Sequence, residues 1–204
     1  VAVATVVFPT LARFATREEY DDLRATMANG MRQILFLLVP AAAAILVLSE
    51  PMIRLVYQRG EFDAGQTDVV ATALFWFSLS LPFNGLFLLL TRTFFSMQRP
   101  WVPTAISAGN LVLTALVALA LYEPFGVGGI VFGTVVATAA SVAAQSVILS
   151  RQLGGIELGR LIDTAIRVTI AAAILAGVSY LVWYFLDDAL GRVETMALMA
   201  GMDL

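Results

Sequence analysis

The sequence predicts an all-α, polytopic transmembrane helix bundle, and three observations carry that prediction. Of 204 residues, 60% are hydrophobic and only 13% are charged, against roughly 25% charged in a soluble domain. Mean hydropathy is +0.88. Apolar runs close to the ~20 residues that cross a ~30 Å hydrocarbon core recur along the chain. Lipid offers backbone groups no partner, so each run must satisfy its own N–H and C=O groups as a helix. Five complete spans and one partial span are expected, at 1–12, 31–49, 68–97, 102–122, 128–149 and 161–186.

The partial span, "VAVATVVFPTLAR", opens in mid-hydrophobic run without Met, a basic leader or a cleavage site. It reads as the end of a helix belonging to a longer protein rather than a signal peptide. The connection after it, "RFATREEYDDLRATMANG", mixes acids with Arg and spaces Tyr20, Leu23 and Met27 by three and four residues, the pattern of a short surface helix. The span at 31–49 carries Pro40 near its middle, where a ring in place of an N–H frees a carbonyl and bends the helix.

The next stretch, "LSEPMIRLVYQRGEFDAGQTD", is a charged knot between two apolar runs. Ser49 fits an N-cap and Pro51 a helix start, so a short interfacial helix is expected there, with Arg54 and Gln58 on one polar face. Gly60 then suits a left-handed helix end. Asp63, three residues before Gln66, has capping-box spacing for a new helix. Arg54, Arg59, Gly60 and Asp63 are therefore read as an interfacial turn.

The run 68–97 holds Ser78, Ser80, Pro82 and Asn84 near its middle, which predicts a second proline kink. Pro40 and Pro82 are the candidate hinges. Asn84, Asn110 and Gln145 are amides inside spans, costly in hydrocarbon, and should face other helices or a wet cavity. "FGVGGIVFG" reads as a tight turn into a helix. Beyond it Gly129, Gly133, Ala137 and Ser141 recur every four residues, a smooth face for close helix packing. Arg160, Asp163 and Arg167 cluster where the last span begins, suited to an interfacial anchor. The tail "DDALGRVETMALMAGMDL" is short and mixed.

The chain has no Cys and no His, which removes thiol chemistry, imidazole bases and the usual zinc ligands. P-loop, nucleophile-elbow, HExxH and dinucleotide fingerprints are missing from the sequence, and no basic patch suits nucleic acid. The reading is of a non-enzyme with no cofactor and no metal. Lys is also absent, so Arg alone carries the topology signal. With the first connection cytoplasmic, Arg13, Arg17, Arg24, Arg32, Arg92, Arg99, Arg151, Arg160 and Arg167 share that side and Arg54, Arg59 and Arg192 the other. Nine against three satisfies the positive-inside rule.

The ordered series "VVFPTLAR", "GMRQILFLLVPAAAAILVLSEPMIRLVYQRGEFD" and "ALFWFSLSLPFNGLFLLLTRTFFSMQRPWVPT" resembles the lipid II flippase family, MurJ/MviN, of the MATE-like exporter superfamily. The matching features are a Phe-Pro-x-Leu span end, a mid-helix Pro, an Arg-Gly-x-Phe turn at Arg59, Gly60 and Phe62, and an aromatic-rich helix end before Pro103. They cover residues 6–104. The resemblance implies fourteen helices in two six-helix lobes plus two C-terminal helices, with this chain supplying most of the second lobe. The parts are then the end of a truncated span (1–12), a cytoplasmic linker helix (13–30), second-lobe spans (31–151), an additional C-terminal span (160–187) and a tail (188–204).

It further implies alternating-access movement of a lipid-linked peptidoglycan precursor across the bacterial inner membrane. The implied partners are that precursor, membrane lipids and the missing N-terminal lobe. The anionic headgroup would bind in a central cavity lined largely by upstream helices, so its cationic residues have no counterparts here. A related polysaccharide-lipid flippase, a multidrug exporter of the same superfamily, and a non-transporting membrane scaffold are the alternatives. A proton- or sodium-coupled drug exporter should carry buried acids in its spans, and the central portions of these spans have none.

Overall fold

A computed structural model describes residues 2–57, 64–155 and 158–199. Those residues form helices α1 (Ala2–Thr16), α2 (Tyr20–Tyr57), α3 (Ala64–Ser96), α4 (Trp101–Leu153) and α5 (Leu158–Met199). The all-α reading holds among them. Five stretches are long and apolar enough to cross a membrane: Tyr20–Ser49, Thr72–Ser96, Trp101–Glu123, Gly126–Leu153 and Leu161–Val182.

The connection 13–30 departs from the expected separate helix. α1 continues to Thr16, and α2 starts at Tyr20 and runs unbroken into the following span. The reason is a continuous apolar face: Leu23, Met27, Met31 and Ile34 lie three and four residues apart and all are buried, so the same packing stripe passes through the junction. Gly30 does not interrupt it, since a lone Gly costs a helix only about 1 kcal/mol. Tyr20 remains 45% exposed.

A second departure lies at Ser49 and Pro51. No new helix starts there; α2 passes through both to Tyr57. The Ser49 hydroxyl donates back to the Leu46 carbonyl at 3.2 Å, the mid-helix habit of Ser rather than a cap. Arg54 consequently falls in the last turn of α2, while Arg59, Gly60 and Asp63 lie outside the described residues. α2 is 38 residues long, about 57 Å at 1.5 Å per residue, so it projects beyond a ~30 Å core. α5 stays helical to Met199, well into the tail.

α4 is two arms joined at Gly126, whose φ of 56° and ψ of −133° interrupt the helix. That combination is the mirror image of an extended backbone, which only Gly adopts at low cost. The turn folds the second arm back along the first. α2 and α3 form the central pair, with α1 against both, α4 on α3 and α5 on α2. Leu11, Leu23, Met27, Met31, Leu89, Leu90, Phe94 and Leu149 fill the core between them.

Three helices end alike at the Arg-rich side of the bundle. Glu18, Gln98 and Gly154 each take a left-handed φ, of 59°, 57° and 73°. The amides of Glu19, Arg99 and Gly155 reach back to the carbonyls of Phe14, Phe94 and Ser150 at 3.0, 3.0 and 2.8 Å. These are Schellman closures, which satisfy carbonyls that a helix end leaves orphaned.

Candidate functional site

The seam between α2 and α3 is built from two notches. A Cβ on Gly30 would meet Leu89 Cδ2 at 3.0 Å, and one on Gly85 would meet Leu38 Cδ1 at 2.5 Å and Ile34 Cγ2 at 2.7 Å. As the α2 number falls from 38 to 30, the α3 number rises from 85 to 89, so the helices are antiparallel. Each bulky side chain fills the space opposite a Gly. Gly85 carried no signal in the sequence beyond sitting inside an apolar run, and Gly30 was read only as the end of the polar connection.

The two arms of α4 approach still more closely. A Cβ on Gly129 would clash with the Leu121 carbonyl oxygen and lie 2.8 Å from its carbon, and one on Gly133 would lie 3.1 Å from the Ala118 nitrogen. Ala137 is fully buried, and Ser141, 5% exposed, donates to the Ala137 carbonyl at 2.8 Å. The neighbouring Gly128 faces α3, where its Cβ would sit 3.3 Å from Trp76 Nε1. Trp76 stacks edge-on against Phe132, with centroids 5.2 Å apart.

The three intramembrane amides take three separate partners. Gln145 is fully buried and its Nε2 donates to Thr91 Oγ1 at 3.2 Å, tying α4 to α3, while its Oε1 has no hydrogen bond among the described residues. Asn110 Oδ1 accepts from Thr114 Oγ1 within the first arm of α4 at 3.1 Å. Asn84, expected to face other helices or a wet cavity, is exposed in this chain. Its Nδ2 donates to Ser80 O and Ser80 Oγ, both at 3.1 Å. An amide can satisfy itself one turn back on its own helix, which frees it from needing a neighbour.

The asymmetry at Gln145 makes a prediction. Thr91→Val strips the buried amide of its one partner and should cost about 1–3 kcal/mol, whereas Gln145→Met removes donor and orphan acceptor together and should cost under about 1 kcal/mol. Denaturation midpoints in detergent would separate the two. Equal losses would mean that volume, rather than hydrogen bonding, governs the seam.

The prolines sit within continuous helices. α3 passes through Pro82 and α2 through Pro40 without leaving helical geometry. Around Pro82, the hydroxyls of Ser78 and Ser80 donate to the carbonyls of Phe75 and Phe77, both at 2.7 Å. Neither bond reaches the Ser78 carbonyl, the one that the missing Pro82 N–H leaves without its helical partner.

At the Arg-rich end, Arg24 Nη2 donates to the Leu153 carbonyl in the last turn of α4, and Arg24 Nη1 lies 3.7 Å from Asp21. Arg17 pairs with Glu19 at 4.0 Å and Arg167 with Asp163 at 3.0 Å, all largely exposed. Arg92 lies over the Phe8 ring, 5.9 Å from its centroid, joining α3 to the Phe-Pro-x-Leu segment through a cation–π contact. A polar cavity of ≈ 290 Å³ opens here between the α1–α2 and α3–α4 turns, lined in part by Thr16, Glu18, Tyr20, Gln98 and Arg99. Among the described residues no cluster of three or more acids, His or Cys could hold a metal.

The geometry is that of packed membrane helices with ordered ends. Comparison with known proteins gives it a family. The family model described as "Lipid II flippase MurJ" matches residues 1–200. The chain is 31% identical over 181 residues to the "Probable lipid II flippase MurJ" of Rhizobium meliloti, covering 88% of this chain and 34% of that protein. It is 29% identical over 151 residues to the protein of the same description from Synechocystis, covering 74% and 28%. The "Lipid II flippase MurJ" of Thermosipho africanus is 27% identical over 131 residues, 62% of this chain and 26% of that one. The matched stretch thus spans between about a quarter and a third of the length of these curated relatives. On a match that runs nearly end to end, this membrane protein belongs to the lipid II flippase MurJ family.

Proposed function

We propose that these residues form most of the second lobe of a lipid II flippase that works by alternating access in the bacterial inner membrane, with 13–30 on the cytoplasmic side. The family match over residues 1–200 is the observation that carries the reading. Its physics is straightforward. A sugar-pyrophosphate headgroup cannot enter hydrocarbon unaided, so it needs a polar cavity that opens to each side in turn while the lipid tail stays in the membrane. No covalent bond has to form or break.

The direct test is complementation. The full-length protein containing this sequence should restore lipid II translocation in cells depleted of their own flippase, and residues 1–204 alone should not. Translocation restored by the short chain would overturn the division into two required lobes.

Pro40 and Pro82 are proposed as bending points between the inward- and outward-open states. Pro40→Ala together with Pro82→Ala in the full-length protein should lower the translocation rate several-fold while leaving expression unchanged. Unchanged transport would remove them as hinges.

A further inference from the structure

We propose that a membrane phospholipid seats one acyl chain, with its glycerol ester, in the cavity between α3 and the α4 hairpin. This cavity of ≈ 290 Å³ is lined by Thr72, Trp76, Leu121, Gly128, Gly129 and Phe132. It lies at the end of the bundle opposite the Schellman turns. Its volume falls at the lower limit of about 300 Å³ for small-molecule pockets, enough for a segment of chain and too little for a whole headgroup.

Its depth selects the ligand. Thr72 stands one turn inside Asp68, Leu121 two residues before Glu123, and Gly128 two residues after the Gly126 turn. The charges mark water, so the cavity sits where hydrocarbon gives way to the interface, the level that Trp favours. The exposed side chains of Phe75, Val127 and Ile130 lie beside the lining residues in sequence. The medium meeting such an apolar surface at this depth is acyl chain.

Its chemistry selects the ester. The walls are apolar apart from the Thr72 hydroxyl and the Trp76 indole N–H, and the indole makes no hydrogen bond among the described residues. A donor left over in an apolar pocket is suited to an acceptor without charge, such as an ester carbonyl. The cavity exists because Gly128 and Gly129 have no side chains. Gly129 lets the arms of α4 close at Leu121, and Gly128 leaves room for the edge of the Trp76 ring.

The test uses the full-length protein with Trp76 as its single tryptophan, reconstituted with phosphatidylglycerol brominated either near the ester or near the chain terminus. Bromine near the ester should quench Trp76 fluorescence more strongly. Part of that quenching should persist after dilution into excess unbrominated detergent. Thr72→Phe, and separately Leu121→Phe from the opposite wall, should remove the persistent part, so a folding defect in one variant does not decide the result. Quenching that vanishes on dilution would overturn the proposal, since it would report bulk lipid contact. Persistent quenching that both fillings leave intact would also overturn it, as would its displacement by polyprenyl phosphate, which would assign the cavity to the tail of a polyprenyl lipid.

Discussion

Gly129→Ala should destabilise the protein more than Ala at Gly133, Gly85 or Gly109, by about 3 kcal/mol, at the upper end of the range for overpacking. The new methyl would clash with the Leu121 carbonyl oxygen, and it would also lie 2.8 Å from the carbonyl carbon. Backbone cannot rotate away as a side chain can, so the arms of α4 must separate along their length. Three comparisons grade the effect. At Gly133 the obstacle is the Ala118 nitrogen at 3.1 Å, so a smaller loss of about 1 kcal/mol is expected. At Gly85 the clash is with the ends of the Leu38 and Ile34 side chains, which can change rotamer at a cost of about 1–2 kcal/mol. At Gly109 nothing lies within 4 Å, and Ala should be neutral or add up to about 1 kcal/mol through helix propensity. Thermal midpoints in detergent would establish the order. A Gly85→Ala protein less stable than Gly129→Ala would show that the hairpin arms are not in backbone contact.

The same residues show what a sequence can and cannot reveal. Span number and approximate limits follow from hydropathy, because a ~30 Å core imposes length directly on the chain. Four-residue spacing puts Gly129 and Gly133 on one face. That the helix they meet is the other arm of their own hairpin depends on the backbone at Gly126, and three nearby glycines offered no local reason to choose that one. The junctions at 13–30 and at Ser49 and Pro51 misled for a different reason. Capping residues and prolines act locally, whereas Leu23, Met27, Met31 and Ile34 gain their energy from the core they share with Leu89, Leu90, Phe94 and Leu149, and tertiary packing overrode the local stop signals. As for the site, the resemblance led to the expectation of headgroup-binding cations outside this stretch, so the candidate positions read from it were hinges, turns and packing faces rather than headgroup contacts.

Arg24→Met should cost about 2–3 kcal/mol, the worth of a hydrogen bond to a charged group together with a cation at a helix C-terminus. Arg24 sits at the start of α2 and reaches the Leu153 carbonyl, 129 residues away in sequence, where α4 ends. The last turn of a helix leaves carbonyls without amide partners and carries partial negative charge. The guanidinium answers both, and the left-handed Gly154 beside it would place a Cβ only 3.5 Å from Nη2. A competing account assigns the stability to the ion pair with Asp21. That carboxylate is 96% exposed at 3.7 Å, and exposed pairs are worth roughly 0–1 kcal/mol. Asp21→Asn should therefore lose under about 0.5 kcal/mol. Arg24→Lys keeps the charge but loses the planar fork, and should fall between the two. Amide exchange at Gly154 and Gly155 would localise the effect, rising in Arg24→Met and staying unchanged in Asp21→Asn. Membrane orientation should survive the change, since eight arginines still oppose three. Equal losses in Arg24→Met and Asp21→Asn would move the weight from the helix end to the ion pair. An inverted topology would instead make Arg24 a determinant of insertion rather than a tie between α2 and α4.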